Sequence, residues 1–188
     1  MDADGLIFAC ATTAEERAAR KLGVPAVRVG VRAANGVPEG RLVSFGLAGA
    51  LRGDLRIGDV LDATRVVDAA GTTLWEGPGL GVGKPATVLG SDELIHDASE
   101  RALLHESTGA DAVDMESGVL ARSGRLAGVV RVVSDDVRAA VEGVDTTVHP
   151  DGRTNVVGLV RWIVAKRGDA VRSIRDALRA LKALEAAA

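Results

Sequence analysis

At 188 residues the chain is long enough to bury one substantial core and short for two, so a single domain over 1–188 is expected. A formal net charge of −3 leaves no electrostatic footprint for nucleic acid, whose binding leans on clustered Lys and Arg, and favours a small-molecule ligand instead. The single cysteine, Cys10, excludes an internal disulfide and a Cys-rich zinc site.

Hydrophobic residues make up 47% of the chain, but only two Phe and two Trp are among them, so the core must be built from small aliphatic side chains. The start, MDADGLIFAC, lacks the basic opening of a secretory signal, and no apolar run approaches the ~20 residues of a membrane span. No membrane span is therefore expected, and the cytoplasm is the expected compartment.

Leu6 to Cys10 reads as a buried strand, and ATT opens a helix to about Leu22. Thr12 with Glu15 and Thr13 with Glu16 both have capping-box spacing. Pro25 opens a second strand, AVRVGV. RAANGVPEG turns the chain into a short strand, Leu42 to Phe45, which ends in GLAGAL. That connection is shorter than the dozen or so residues of an ordinary parallel crossover, so it is either compressed or antiparallel. GLAGAL reads as a Gly/Ala turn. Around Ala48 and Gly49 its bareness either lets backbone N–H groups approach a ligand oxygen or serves a plain tight turn.

DVLDATRVV, residues 59–67, is a strand, and AAGTTLW returns from it as a hairpin. EGPGLGVGKP reads as a mobile surface loop. A P-loop would need Gly where Pro78 stands and Ser or Thr where Pro85 stands. Thr87 to Leu89 is a short strand, and a helix runs from about Asp97 to Glu106.

The stretch Ala112 to Asp136 carries two acidic clusters, VDMES and RVVSDD, each closing a β-like apolar run, with helix-compatible sequence between them. Two parallel strands joined by a crossover would place both acids at one sheet edge, where open α/β folds bind ligands. A polar segment, RAAVEGVDTTVHPDGRT, follows, and 155–188 forms a helical pair. The last helix presents Val171, Ile174, Leu178, Leu181 and Leu184 on one face, either to pack on the sheet or, with its arginines, to lie on a partner or a membrane.

The N-terminal strand with its Thr/Glu helix start, SFGLAGALRGDLRIGDV, GSDELIHD, and AVDMESGVLA with VVRVVSDD together resemble the purine nucleoside phosphorylase and nucleosidase superfamily. That superfamily includes methylthioadenosine/S-adenosylhomocysteine nucleosidase. FGLAGAL, VDMES and the late HPDGR look most like its hopanoid-associated phosphorylase branch, which removes adenine from adenosylhopane. The resemblance covers about Leu6 to Asp136. It implies an α/β domain with a central mixed β-sheet flanked by helices, and cleavage of the N-glycosidic bond of an adenosine-type nucleoside by phosphorolysis or hydrolysis, with a slight lean toward phosphorolysis.

On this resemblance Asp135 is the general acid that protonates the purine N7, with Asp136 beside it as a like charge favouring the protonated form. Glu116 grips the ribose hydroxyls and Met115 packs under the sugar. Leu94 and Ile95 meet the base, Leu94 standing where an aromatic is more usual. Arg131 lies near the sugar or phosphate, and Asp114 is structural. Glu15 is the candidate base for an attacking water, with Glu16 as runner-up, although capping alone also explains both.

Two departures stand out. The helix that usually precedes the GLAGAL strand is reduced to RAANGVPEG, and no arginine in ACATTAEE replaces the first-loop phosphate ligand of hexameric phosphorylases. No metal or cofactor is implied beyond inorganic phosphate as a co-substrate, and a homodimer or larger assembly is. Other readings are a methylthioadenosine/S-adenosylhomocysteine or futalosine nucleosidase, and a nucleoside-binding protein without catalysis. A dinucleotide-dependent oxidoreductase lacks the strand–GxGxxG–helix unit it would need.

Overall fold

The computed structural model describes residues 5–137, 148–155, 176 and 178–186. The strands are β1 (Leu6–Cys10), β2 (Ala26–Arg28), β3 (Arg41–Ala50), β4 (Val60–Val67), β5 (Thr73–Glu76), β6 (Lys84–Gly90), β7 (Ala112–Asp114) and β8 (Leu126–Asp135). The helices are α1 (Thr13–Lys21), α2 (Ala98–Thr108) and α3 (Ser117–Arg122). The expected α/β domain with a mixed sheet and flanking helices is present.

All eight strands form one sheet, and its centre closes on itself. β3 pairs in parallel with β8, β8 antiparallel with β4, β4 in parallel with β6, β6 in parallel with β7, and β7 antiparallel with the last residues of β3. β1 and β2 extend this ring in parallel from β3, and β5 pairs antiparallel with β4. The RAANGVPEG connection is thus a compressed parallel crossover, reduced to a 3-10 turn at Val31–Ala33. Closure also corrects the expectation of a parallel pair. β7 runs antiparallel and β8 parallel to β3, yet both acidic ends meet the same part of β3, where Val113 and Asp135 each pair with Gly49.

GLAGAL is not a turn. β3 continues through it to Ala50, paired along its length with β8. The Gly/Ala composition serves close packing inside a strand, with Ala48 and Ala50 buried.

EGPGLGVGKP lies at the surface, but it is fastened. The buried Asp62 carboxylate on β4 accepts N–H groups from Leu80 at 2.8 and 2.9 Å, Gly81 at 2.5 Å and Val82 at 3.1 Å. The backbone nest that would suit a phosphate holds the chain's own carboxylate.

α1 has the Thr12–Glu15 capping box, and α2 is capped by Asp97 and ended by Gly109 in the left-handed region. One core cluster joins Leu6, Phe8, Val43, Phe45, Val130 and Val132. Residues 178–184 are helical, and they dock on this cluster through Ala180 and Leu184, while Leu178 is 56% exposed. Of the expected face, Leu184 and Leu181 pack on the cluster and Leu178 does not. The expected helix over 155–166, and Val171 and Ile174, fall outside the described residues apart from Asn155. Among the described residues no helix is long and apolar enough to cross a membrane.

Candidate active site

The guanidinium of Arg131, midway along β8 and 1% exposed, is the hub of the first cluster. Its Nε lies 2.5 Å from Asp114 Oδ2, and its Nη2 lies 3.8 Å from Glu116 Oε2. Nη2 also donates to Ser44 Oγ at 2.6 Å and Ser117 Oγ at 3.2 Å, and Nη1 to the Leu47 carbonyl at 3.5 Å. Ser117 Oγ donates in turn to Asp114 Oδ2, and Asp114 Oδ1 accepts the N–H of Ser117 at 2.9 Å. Arg131 is thus committed to protein groups. It positions the site's carboxylates and has little left for a ligand. Asp114 is held between Arg131 and Ser117.

Glu15 completes this cluster. Its Oε2 takes the Thr12 N–H at 2.8 Å and the Thr12 hydroxyl at 2.9 Å, while Oε1 takes the Leu47 N–H at 2.8 Å. One buried carboxylate therefore both caps α1 and reaches β3. Glu16 turns away, pairing with Arg20 at 2.7 Å and Arg28 at 3.9 Å, which separates the two candidates. Gly46 is where Glu15 and Arg131 cross β3. A Cβ there would lie 2.6 Å from Arg131 Nη1 and closer still to Glu15 Oε1.

Glu116 is buried at the N-cap of α3 and accepts the Arg32 N–H at 3.2 Å. Burial pushes its carboxyl up to about 8; Arg131 opposes this, while Asp114 and Glu15 add to it. Arg131 is raised, since burial pulls it down but Asp114, Glu116 and Glu15 outweigh burial. Arg32 and Ala33, with φ of 53° and 54°, are the only described non-glycine residues in the left-handed region. Such conformations cost of order 1–3 kcal/mol each, and the bond from the Arg32 N–H to Glu116 is one of the contacts that offsets the cost. Burial, together with Glu15, also raises the Cys10 thiol, which keeps it protonated and inert.

The second cluster lies four residues farther along β8, about 13 Å by strand rise. Arg101 Nη2 from α2 pairs with Asp135 Oδ2 at 2.6 Å, and Ser134 Oγ donates to Asp135 Oδ1 at 2.8 Å. A β-bulge at Ser134 re-aims the strand here: Ala48 pairs with Val133 and Gly49 with Asp135. Gly49 again supplies room, since a Cβ there would lie 3.0 Å from Arg101 Nη2 and 3.2 Å from Asp135 Oδ2. The charge that directly pairs with Asp135 is therefore the cation of Arg101, not the like charge of Asp136 on which the sequence reading relied. Ala48 is buried, and its carbonyl accepts from Ser134 Oγ at 3.2 Å.

Ile95 is buried beside Leu51, Leu89 and Val113, with Leu94 next to it half-buried. Its carbonyl takes Arg101 Nε at 3.0 Å and Nη2 at 2.8 Å. Met115 is half-buried between Asp114 and Glu116. Sequence reasoning missed Arg101, Ser44, Ser117 and Arg32. None of them left a signal: Arg101 stands beside Glu100 in the polar sequence ASERALLHEST, where an exposed charge is the ordinary expectation. Among the described residues no group of three or more His, Cys, Asp or Glu is placed to hold a metal ion.

No protein-family model matches the chain, and no curated protein matches it in sequence. Solved structures do match. A mutant of the Helicobacter pylori 5′-methylthioadenosine/S-adenosylhomocysteine nucleosidase with 5′-methylthioadenosine bound superposes with a TM-score of 0.60 at 16% identity, over 97% of this chain and 96% of that one. The chain has the nucleosidase fold. Futalosine hydrolase of Helicobacter pylori matches with a TM-score of 0.56 at 14% identity, over 92% and 96% of the two chains. A Chlamydia trachomatis MTAN variant bound to MTA matches at 0.57 and 15%, over 95% and 94%. Within this fold the two clusters lie on β8 and around α1, α2 and α3.

Proposed function

We propose that the chain is a nucleosidase that hydrolyses the N-glycosidic bond of an adenosine-type nucleoside. The observation that carries this reading is Glu15, a buried carboxylate with one oxygen on the helix cap and the other on the Leu47 N–H, beside Arg131 and Glu116. Cleavage builds positive charge on the ribose and negative charge on the departing base, so carboxylates belong on the sugar side and a proton donor at the base. Glu116 takes the ribose hydroxyls, with Met115 beneath the sugar. Glu15 draws a proton from the attacking water as it bonds to C1′. Asp135 gives its proton to N7, so that the base leaves neutral, and Leu94 and Ile95 line the base.

Electrostatics favour water over phosphate as the nucleophile. Glu15 and Asp114 flank the Arg131 guanidinium, which protein groups already hold, so among the described residues of this cluster a phosphate dianion would meet carboxylates and a cation that is already engaged. This moves the reading from the phosphorolysis that the branch resemblance suggested. The solved relatives in this fold are nucleosidases and a hydrolase, which points the same way. The reaction needs no metal or cofactor. A homodimer or larger assembly in the cytoplasm, with a neighbouring subunit completing the site, is part of the proposal. Methylthioadenosine is the first substrate to try, and adenosylhopane is the one that the branch resemblance adds.

The test is adenine release from methylthioadenosine, adenosine and adenosylhopane, with and without inorganic phosphate. Equal rates are expected, and a rate that depends on phosphate overturns hydrolysis. Glu15→Gln keeps one acceptor oxygen for the cap but turns its NH2 toward a buried donor, so it is expected to fold with about 1–3 kcal/mol less stability and to lose roughly 10²–10⁴ in rate. Full activity in that variant removes Glu15 from the chemistry. Nucleoside binding without base release would identify a binding protein instead.

A further inference from the structure

We propose that Arg101 is a positioning residue that ties the base-binding loop to the general acid. This rests on the role given to Asp135 above. Arg101 is 3% exposed although it stands in the first turn of α2, and its guanidinium joins four separate places. Two of its N–H groups go to the Ile95 carbonyl at 3.0 and 2.8 Å, one to the Ala50 carbonyl at the end of β3 at 3.2 Å, and one to the Asp136 carbonyl at 3.3 Å. The fourth attachment is the Asp135 carboxylate at 2.6 Å. A structural arginine could satisfy itself on carbonyls alone. This one spends the same Nη2 on the base loop and on the reacting carboxyl.

The consequence is chemical. Both oxygens of Asp135 accept in the structure, from Arg101 and Ser134, so the proton it gives to N7 is one taken from solvent as the nucleoside binds. That proton leaves the carboxyl oxygen, the N–H bond forms on the purine, and Asp135 returns to the carboxylate. That carboxylate then faces a fixed guanidinium, so charge created at the acid is met by a cation already in place. The rigid fork of Arg101 also means that Ile95, which lines the base, and Asp135, which protonates it, hold one geometry relative to each other. Gly49 is the clearance that lets the pair form against β3.

The experiment follows kcat and KM for adenine release from methylthioadenosine in Arg101→Met, Arg101→Gln, Arg101→Lys, Asp135→Asn and the double variants. Arg101→Met is expected to lower kcat by about 10- to 100-fold, within the range of losing part of a general acid. In the Asp135→Asn background the same substitution should cost less than about twofold, because the group it serves is gone. Arg101→Lys should recover part of kcat, since a cation remains, while KM stays raised, since the two-pronged hold on Ile95 is lost. A second substrate, 4-nitrophenyl riboside, loses a phenolate that needs no proton, and Arg101→Met should lower its cleavage far less than it lowers adenine release. If Arg101→Met does not fold, Arg101→Gln and Arg101→Lys carry the same comparisons. An equal loss with and without Asp135, or on both substrates, overturns the coupling and leaves a scaffold residue. If the wild-type protein releases no adenine, the hydrolase reading falls and this role falls with it. Adenine release that is indifferent to Arg101 overturns this role alone.

Discussion

A carboxylate that grips two hydroxyl donors works best ionised, yet burial pushes Glu116 up to about 8, so the ligand-free protein holds it protonated at neutral pH. Two consequences follow. Gripping the ribose should release a proton, so nucleoside affinity should rise with pH up to about 8. The proton count can be read by titration calorimetry in buffers of differing ionisation enthalpy, and no release at pH 7 would remove Glu116 from the sugar. The second consequence concerns stability. In the unfolded chain Glu116 ionises near 4.5, so between 4.5 and about 8 the folded state binds the extra proton. Stability from this group is complete below 4.5 and is lost as pH rises through 8. Glu116→Gln should flatten that decline in urea midpoints measured from pH 5 to 8. A slope unchanged from wild type would place the proton elsewhere.

β3 is the element that joins the two clusters, and it does so by what it lacks. Gly46 admits Glu15 and Arg131, while Gly49 admits Asp135 and Arg101. The β3 glycines are three residues apart and their partners on β8 four apart, and the bulge at Ser134 absorbs the difference. Gly46→Ala drives a Cβ to 2.6 Å from Arg131, whereas Gly49→Ala meets nothing nearer than 3.0 Å. Overpacking of this kind costs about 1–3 kcal/mol, so Gly46→Ala should melt clearly lower than Gly49→Ala. Equal melting temperatures would show that Glu15 and Arg131 can move aside. The sequence made part of this legible. VDMES and RVVSDD marked the acids, and the Thr12–Glu15 spacing marked the cap that the structure contains. GLAGAL was misread, because glycine and alanine look the same in a turn and in a crowded strand until the neighbour is known. Arg101 went unseen, because its partners lie six residues away at Ile95 and more than thirty away at Asp135. Glu15 was ambiguous between cap and base because its two oxygens do the two jobs at once.

At the scale of the whole molecule, ring closure was beyond the sequence because the pairings that make it, β3 with β7 and β4 with β8, join segments separated by several other elements. Closure leaves one face of β1, β3 and β8 needing cover, and Phe8, Phe45, Val130 and Val132 form its floor. The C-terminal residues 178–184 provide that cover, with Leu184 fully buried and Lys21 on α1 pairing with Glu185 at 2.6 Å. That ion pair is exposed, so its contribution is small, and the attachment rests on Leu184 and Ala180. Leu184→Ala should therefore cost about 2–5 kcal/mol in the denaturant midpoint, the usual range for emptying a buried leucine site. Lys21→Ala should cost less than about 1 kcal/mol. A basic helix lying on a partner or a membrane would behave differently: truncating Leu184 would leave the stability of the isolated protein nearly untouched. A shift of less than about 0.5 kcal/mol would support that alternative, and a large one would make the helix a wall of the core behind β8.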